Sequence, residues 1–232
     1  MTDTPRRQLA AIMFADMVGY TALMQDDESR AHEQRDRHRA ILAAAVQRHH
    51  GQVLEYYGDG TLSLFASAVE AVECAIEVQG EVSRHPLIPL RIGVHSGDIV
   101  RDADGIYGDG VNVASRIEGL SAPGGVLVSG KVFDEIKNHS TISVVSLGAV
   151  RLKNIGYRLN VFAISNPGLM VPGAAEPTQL ARSSDPPVRT SAAAACSPVR
   201  GARKPPHTSW RRPRSPSRQS PSSSCSCPVR HR

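Results

Sequence analysis

Six residues spread between positions 16 and 153 are of the types that chemistry on phosphates uses: two acids, an amide and three cations. Asp16 interrupts the apolar stretch Ile12-Met13-Phe14-Ala15 and is followed by Met17 and Val18. An unpaired carboxylate at the end of a buried strand is costly, so something must meet its charge. Asp59 lies in Gly58-Asp59-Gly60 between two runs of β-formers, the pattern of a hairpin tip. Two carboxylates at neighbouring strand ends, beside the backbone N–H groups of a glycine-containing turn, suit Mg2+ held together with a polyphosphate. Taken alone, an Asp in a glycine turn is usually only a turn former. Asn112 and Arg116 stand four apart in "NVASR", which puts an amide and a guanidinium on one helix face. Such a pair holds a sugar oxygen and offsets charge developing on a phosphoryl group, or is simply a solvated polar face. Arg91 opens "RIGVHSG" and Lys153 lies in "RLKNIG"; each by itself reads as an ordinary surface cation.

The elements that must position these residues follow from hydrophobic periodicity. Leu9 to Met17 reads as a buried strand. A long helix capped by Asp27 or Ser29 runs through His50, with Ile41, Leu42, Ala45, Val46 and His49 on one face and Gly51 ending it. "QVLEYYGDGTLSLFAS" reads as a hairpin. Ser67 to Arg84 returns to helical spacing, and "PLRIGVHSGDIV" reads as a further pair of strands. "GDGVNVASRIEGLSAPGG" has helical character between its glycines, and strand, helix, strand and strand follow. The expected fold is α+β: a ferredoxin-like βαββαβ unit with a small C-terminal βαββ extension.

The chain has 232 residues and a formal charge of +5, unevenly placed. Residues 1–167 hold 16 Lys and Arg against 20 Asp and Glu, whereas 168–232 hold 11 against 2. The basic balance therefore describes the tail and does not mark the folded part as binding nucleic acid or a membrane. All Phe and Tyr precede residue 168, and the remainder is rich in Pro, Ser, Arg and Ala. The expected organisation is a domain over 1–167 and a disordered basic tail over 168–232. Four cysteines without metal-type spacing indicate neither a disulfide framework nor a zinc site. The N-terminus lacks an apolar signal region and no apolar run approaches a membrane span, so the expected location is cytoplasmic.

"FADMVGYT", "GDGTLSLF", "RIGVHSG", "GDGVNVASR" and "RLKNIG", in this order, closely resemble the catalytic domain of class III adenylyl and guanylyl cyclases over roughly residues 8 to 164. The resemblance implies formation of a 3′,5′-cyclic nucleotide and pyrophosphate from ATP or GTP, as a second-messenger enzyme. It also implies a head-to-tail homodimer with active sites at the interface, and two divalent cations, Mg2+ or Mn2+. Carried over by motif, Asp16, Asp59 and the Val18 carbonyl resemble the metal ligands. The backbone of Val18, Gly19, Tyr20 and Thr21 would wrap the phosphates, with Arg91 and Lys153 as phosphate-binding cations. Asn112 and Arg116, from the other protomer, resemble the residues that orient the ribose and stabilise the transition state.

Base choice is where the chain departs from the pattern. Glu55 occupies the position that adenylyl cyclases of the family usually fill with Lys and guanylyl cyclases with Glu. A carboxylate accepts from the N1–H and 2-amino group of guanine, whereas adenine offers no donor at N1. The second base-reading position aligns with Gly105, which has no side chain to read with, and Asp104 is adjacent. ATP is the favoured substrate on family grounds, with GTP the alternative that Glu55 supports. A cyclase-like module that binds nucleotide or dimerises without turnover is the reading from another class.

Overall fold

The structure, a computed structural model, describes residues 6–84, 86–102 and 105–173. The chain divides into two units, 1–188 and 189–232, and every described residue belongs to the first.

β1 (Arg6–Met17) leads through a short helix α1 (Tyr20–Asp26) into the long helix α2 (Glu28–Arg48). Asp27 caps α2, its side chain accepting from Arg30 N at 2.9 Å, and Gly51 N closes the other end on Val46 O. α1 is too short for periodicity to announce it. The hairpin is β2 (Gln52–Tyr57) and β3 (Gly60–Phe65), turning at Gly58-Asp59. Of the stripe that helical spacing predicts for α3 (Ala68–Val82), Val72 and Gln79 are buried while Val69 and Ile76 are only partly so, and Ala68 and Ala75, expected beside the stripe, lie fully inside. β4 (Leu90–Asp102), β5 (Gly105–Tyr107) and α4 (Asp109–Glu118) follow. The chain then adds β6 (Val126–Ser129), α5 (Gly130–Ile136), β7 (Val144–Arg151) and β8 (Arg158–Ile164).

The strands form one sheet in the order β2-β3-β1-β4-β6-β8-β7, with β5 added beside β4. Its first four strands, with α2 and α3, are the expected βαββαβ unit. The βαββ extension continues the same sheet, through parallel pairing of β6 with β4. One element differs from expectation: "PLRIGVHSGDIV" is not a strand pair, because Leu90 to Asp102 runs as a single strand against the whole of β1. Gly93 and Gly97 inside it do not mark a turn. A Cβ on Gly93 would strike the backbone of Glu118, and one on Gly97 would press on the Gly110 Cα, so both let α4 lie close on the sheet.

Alternation along β1 sorts its side chains into two layers. Ala11, Met13, Ala15 and Met17 join the large core with α2, α3 and α5. Ala10 and Ile12 face the opposite way, toward Ala114 of α4. Asp16 has the parity of Ile12, so its carboxylate emerges on the α4 side. On β4, Leu90, Ile92 and Val94 enter the large core, and Arg91 shares the α4 side with Ile99. A third cluster joins Val113 and Ile117 of α4 to Leu127, Val161 and Ala163 of the extension.

Packed chain continues beyond residue 167. Leu169 rests on the large core, Val171 on the third cluster, and Met170 N donates to Gly124 O at 3.0 Å. Positions 174–232, most of the expected tail, lie outside the described residues. Cys74 is buried and free, and among the described residues no helix is long and apolar enough to cross a membrane.

Candidate functional site

Antiparallel register sets Asp16 of β1 directly opposite Arg91 of β4, on the same face. Arg91 Nη2 donates to Asp16 Oδ2 at 2.8 Å, so a guanidinium meets the charge of this acid. Glu118, at the end of α4, forms a second ion pair with Arg91 Nε. That contact sets Glu118 Oε1 as an acceptor against Arg91 Nε as well as an opposite charge.

The β2–β3 tip brings Asp59 to the same corner. Arg39 of α2 fastens it, with Nη2 donating to Gly58 O at 2.6 Å and the guanidinium lying 4.6 Å from the centroid of the Tyr56 ring. A methyl group built on Gly60 would sit 3.1 Å from Asp16 Oδ1, which places the tip backbone against that carboxylate. Burial raises the Asp59 carboxyl above its usual range, and the negative Asp16 beside it raises it further. Glu118 is pushed up to about 7, first by burial, with the Asp16 charge adding and Arg91 opposing. Three acids thus gather at this corner, and Arg91 pairs with two of them, Asp16 and Glu118.

That deficit of positive charge fits a divalent cation, and the donors are hard oxygens of the kind Mg2+ and Mn2+ take. Among the described residues no group of three His, Cys, Asp or Glu could hold an ion alone. A cation bound by Asp16 and Asp59 would therefore need further oxygens from water or a ligand, as Mg2+ commonly does. Beyond Asp16, Val18 N donates to Pro89 O at 2.7 Å and Gly19 takes a left-handed conformation (φ 80) that turns the chain into α1. Tyr20 packs on the large core and Thr21 is exposed.

Asn112 and Arg116 are exposed on the outer face of α4. Arg116 is two residues from Glu118, about 200° around the helix, so one points away from the sheet while the other reaches Arg91. Lys153 is exposed in the turn between β7 and β8. Among the described residues no hydrogen bond or ion pair joins Asn112, Arg116 or Lys153 to Asp16, Asp59 or Arg91. One copy of the chain thus assembles the two aspartates and Arg91 and leaves the amide and the other two cations apart from them.

Glu55 is exposed on β2 and accepts at Oε2 from the Tyr57 hydroxyl at 2.6 Å. The Tyr57 ring stacks on Phe14, with centroids 6.4 Å apart. Gly105 opens β5 opposite Asp102, and Asp104 lies outside the described residues. Two contributors escaped the sequence reading. Tyr57 looked only like a β-former. Glu118 carried a signal: it is an acid four residues from Ala114 on the buried stripe of α4.

A family model described as the adenylate and guanylate cyclase catalytic domain matches residues 3–166. The chain is 39% identical over 171 residues to a protein named putative adenylate cyclase 3 from Rhizobium meliloti, covering 70% of this chain and 29% of that one. It thus spans less than a third of that relative's length. An adenylate/guanylate cyclase/hydrolase structure from Silicibacter pomeroyi is 34% identical, with a TM-score of 0.64, and covers 69% of this chain and 98% of that one. The adenylyl cyclase CyaB structure from P. aeruginosa, 22% identical with a TM-score of 0.64, covers 72% of this chain and all of that one, and shares the fold.

Proposed function

The chain belongs to the adenylate and guanylate cyclase catalytic-domain family, and from that premise we propose that it converts a purine nucleoside triphosphate to the 3′,5′-cyclic monophosphate and pyrophosphate, at sites shared by two copies. The observation that carries this reading is the separation on α4. Asp16, Asp59 and Arg91 converge, while Asn112 and Arg116 are exposed on α4, where a second molecule can reach them. A head-to-tail pair related by a two-fold axis would complete two equivalent sites.

In this reading Asp16, Asp59 and the Val18 carbonyl hold Mg2+ or Mn2+. When bound, the cations neutralise the triphosphate and acidify the ribose 3′-hydroxyl. The backbone from Val18 to Thr21 wraps the phosphates, and Arg91 turns from Asp16 to a phosphate oxygen. From the second copy, Asn112 orients the ribose, and Arg116 meets charge building on the α-phosphoryl oxygens. Lys153 binds the terminal phosphates. ATP is favoured, in line with the name of the 39%-identical relative. One observation favours GTP: Tyr57 holds Glu55 by one carboxylate oxygen, Oε2, on an exposed carboxylate able to accept from guanine.

Mixing two inactive variants tests the shared site. Asp16→Asn and Arg116→Ala should each abolish turnover of ATP and GTP. Random pairing makes half the dimers mixed, each with one intact site, so the mixture should recover about a quarter of wild-type activity. A mixture as inactive as its parents refutes the shared site, and near-normal turnover by Asp16→Asn alone refutes the whole reading.

A further inference from the structure

Arg91 is contested. Its Nη2 donates to Asp16 and its Nε lies against Glu118, while the guanidinium carries five N–H donors in a planar fork. Left to Asp16 alone, that fork would turn to grip both carboxylate oxygens, the favoured arrangement for this pair. Glu118 prevents this from a fixed position. It is 7% exposed, and its backbone lies where any Cβ on Gly93 would have to go, so helix and strand are in direct contact beside Arg91. We propose that Glu118 is a positioning residue, which holds the Nε edge of Arg91 and so keeps Asp16 open to a cation and the η edge of Arg91 open to a phosphate.

The proposal rests on the cyclase reading for the purpose of the open Asp16, yet the competition itself is a property of three side chains. Removing the acceptor at position 118 frees Arg91 to close on Asp16, and cation binding then has to break a two-pronged pair. Charge alone predicts something different, since any neutral residue at 118 would weaken cation binding equally. Glu118→Gln and Glu118→Met separate the two, because both are neutral and similar in volume and only Gln retains an oxygen for Arg91 Nε. Both fill the buried space, and circular dichroism checks that each is folded.

The measurement is Mn2+ affinity by isothermal titration of the purified full chain without nucleotide. Glu118→Gln should stay within about threefold of wild type, and Glu118→Met should bind about tenfold more weakly. Equal losses in the two variants, or no loss in Glu118→Met, overturn the proposal, as does a wild-type chain that binds no Mn2+. A parallel assay of cyclic nucleotide formation keeps the questions apart. Wild type that binds Mn2+ without turnover fails the cyclase reading, while the contrast between Gln and Met still decides the role of Glu118.

Discussion

His38 offers a test in which the sign and size of a pH effect follow from burial. Its side chain lies in α2 with no solvent exposure, and among the described residues neither ring nitrogen has a hydrogen-bond partner. Burial lowers its pKa from 6.5 to about 4, with the positive Arg39 adding to the shift and the negative Asp16 opposing it. The unfolded chain therefore takes up a proton at His38 as the pH falls through 6.5, whereas the folded chain does so only near 4. Stability is lost across that interval and the loss levels off below it. Between pH 7 and pH 5 this single group removes about 2 kcal/mol. Other groups titrate in the same window. His95, also lowered to about 4 mainly by burial, acts in the same direction. Glu118, raised from 4.5 to about 7, acts in the opposite one, because the folded chain binds its proton first. The total pH profile is thus a mixture, and the difference between wild type and His38→Leu isolates one contribution. Urea unfolding followed by circular dichroism at pH 7 and pH 5, at one protein concentration, gives that difference. The advantage of the leucine variant should grow by about 2 kcal/mol on acidification. An advantage that stays constant with pH would show that His38 protonates as freely in the fold as outside it, and the burial argument would fail.

Three further outcomes follow from contacts already described. Gly93→Ala forces a methyl group into the backbone of Glu118 and should cost about 1–3 kcal/mol in urea unfolding; an unchanged midpoint would mean that α4 is not seated on β4. Glu55→Lys should move the ratio of cyclic AMP to cyclic GMP, measured with ATP and GTP in parallel, toward cyclic AMP. An unchanged ratio would remove Glu55 from base reading. Tyr57→Phe keeps the stack on Phe14 but deletes the hydrogen bond to Glu55, so the same ratio should shift by about threefold with little change in stability; equal effects on both substrates would make Tyr57 purely structural.

Much of the fold was legible because its signals are local. The Gly58-Asp59-Gly60 tip between β-formers, the Asp27 cap and the helical spacing of α3 each depend on residues close in sequence, and the structure has all three. β4 was misread for the same reason. A glycine that permits a turn and one that admits a helix look identical until the helix is in place, and Gly97 belongs to the second kind.

The site divides along a similar line. Sequence alone determined which residues are chemically out of place: an acid in an apolar run, an acid at a hairpin tip, and an amide and a guanidinium four apart. It also determined the motif order that names the family. Only tertiary structure decided which charges meet. Asp16 is answered by Arg91, 75 positions away, because antiparallel register sets them opposite each other on one face. Arg91 is shared with Glu118 because α4 lies on Gly93. Arg116 is turned from that cluster because two steps along a helix nearly reverse direction. Register and helix phase convert positions in a chain into neighbours across a sheet, and neither exists until strands and helix have packed.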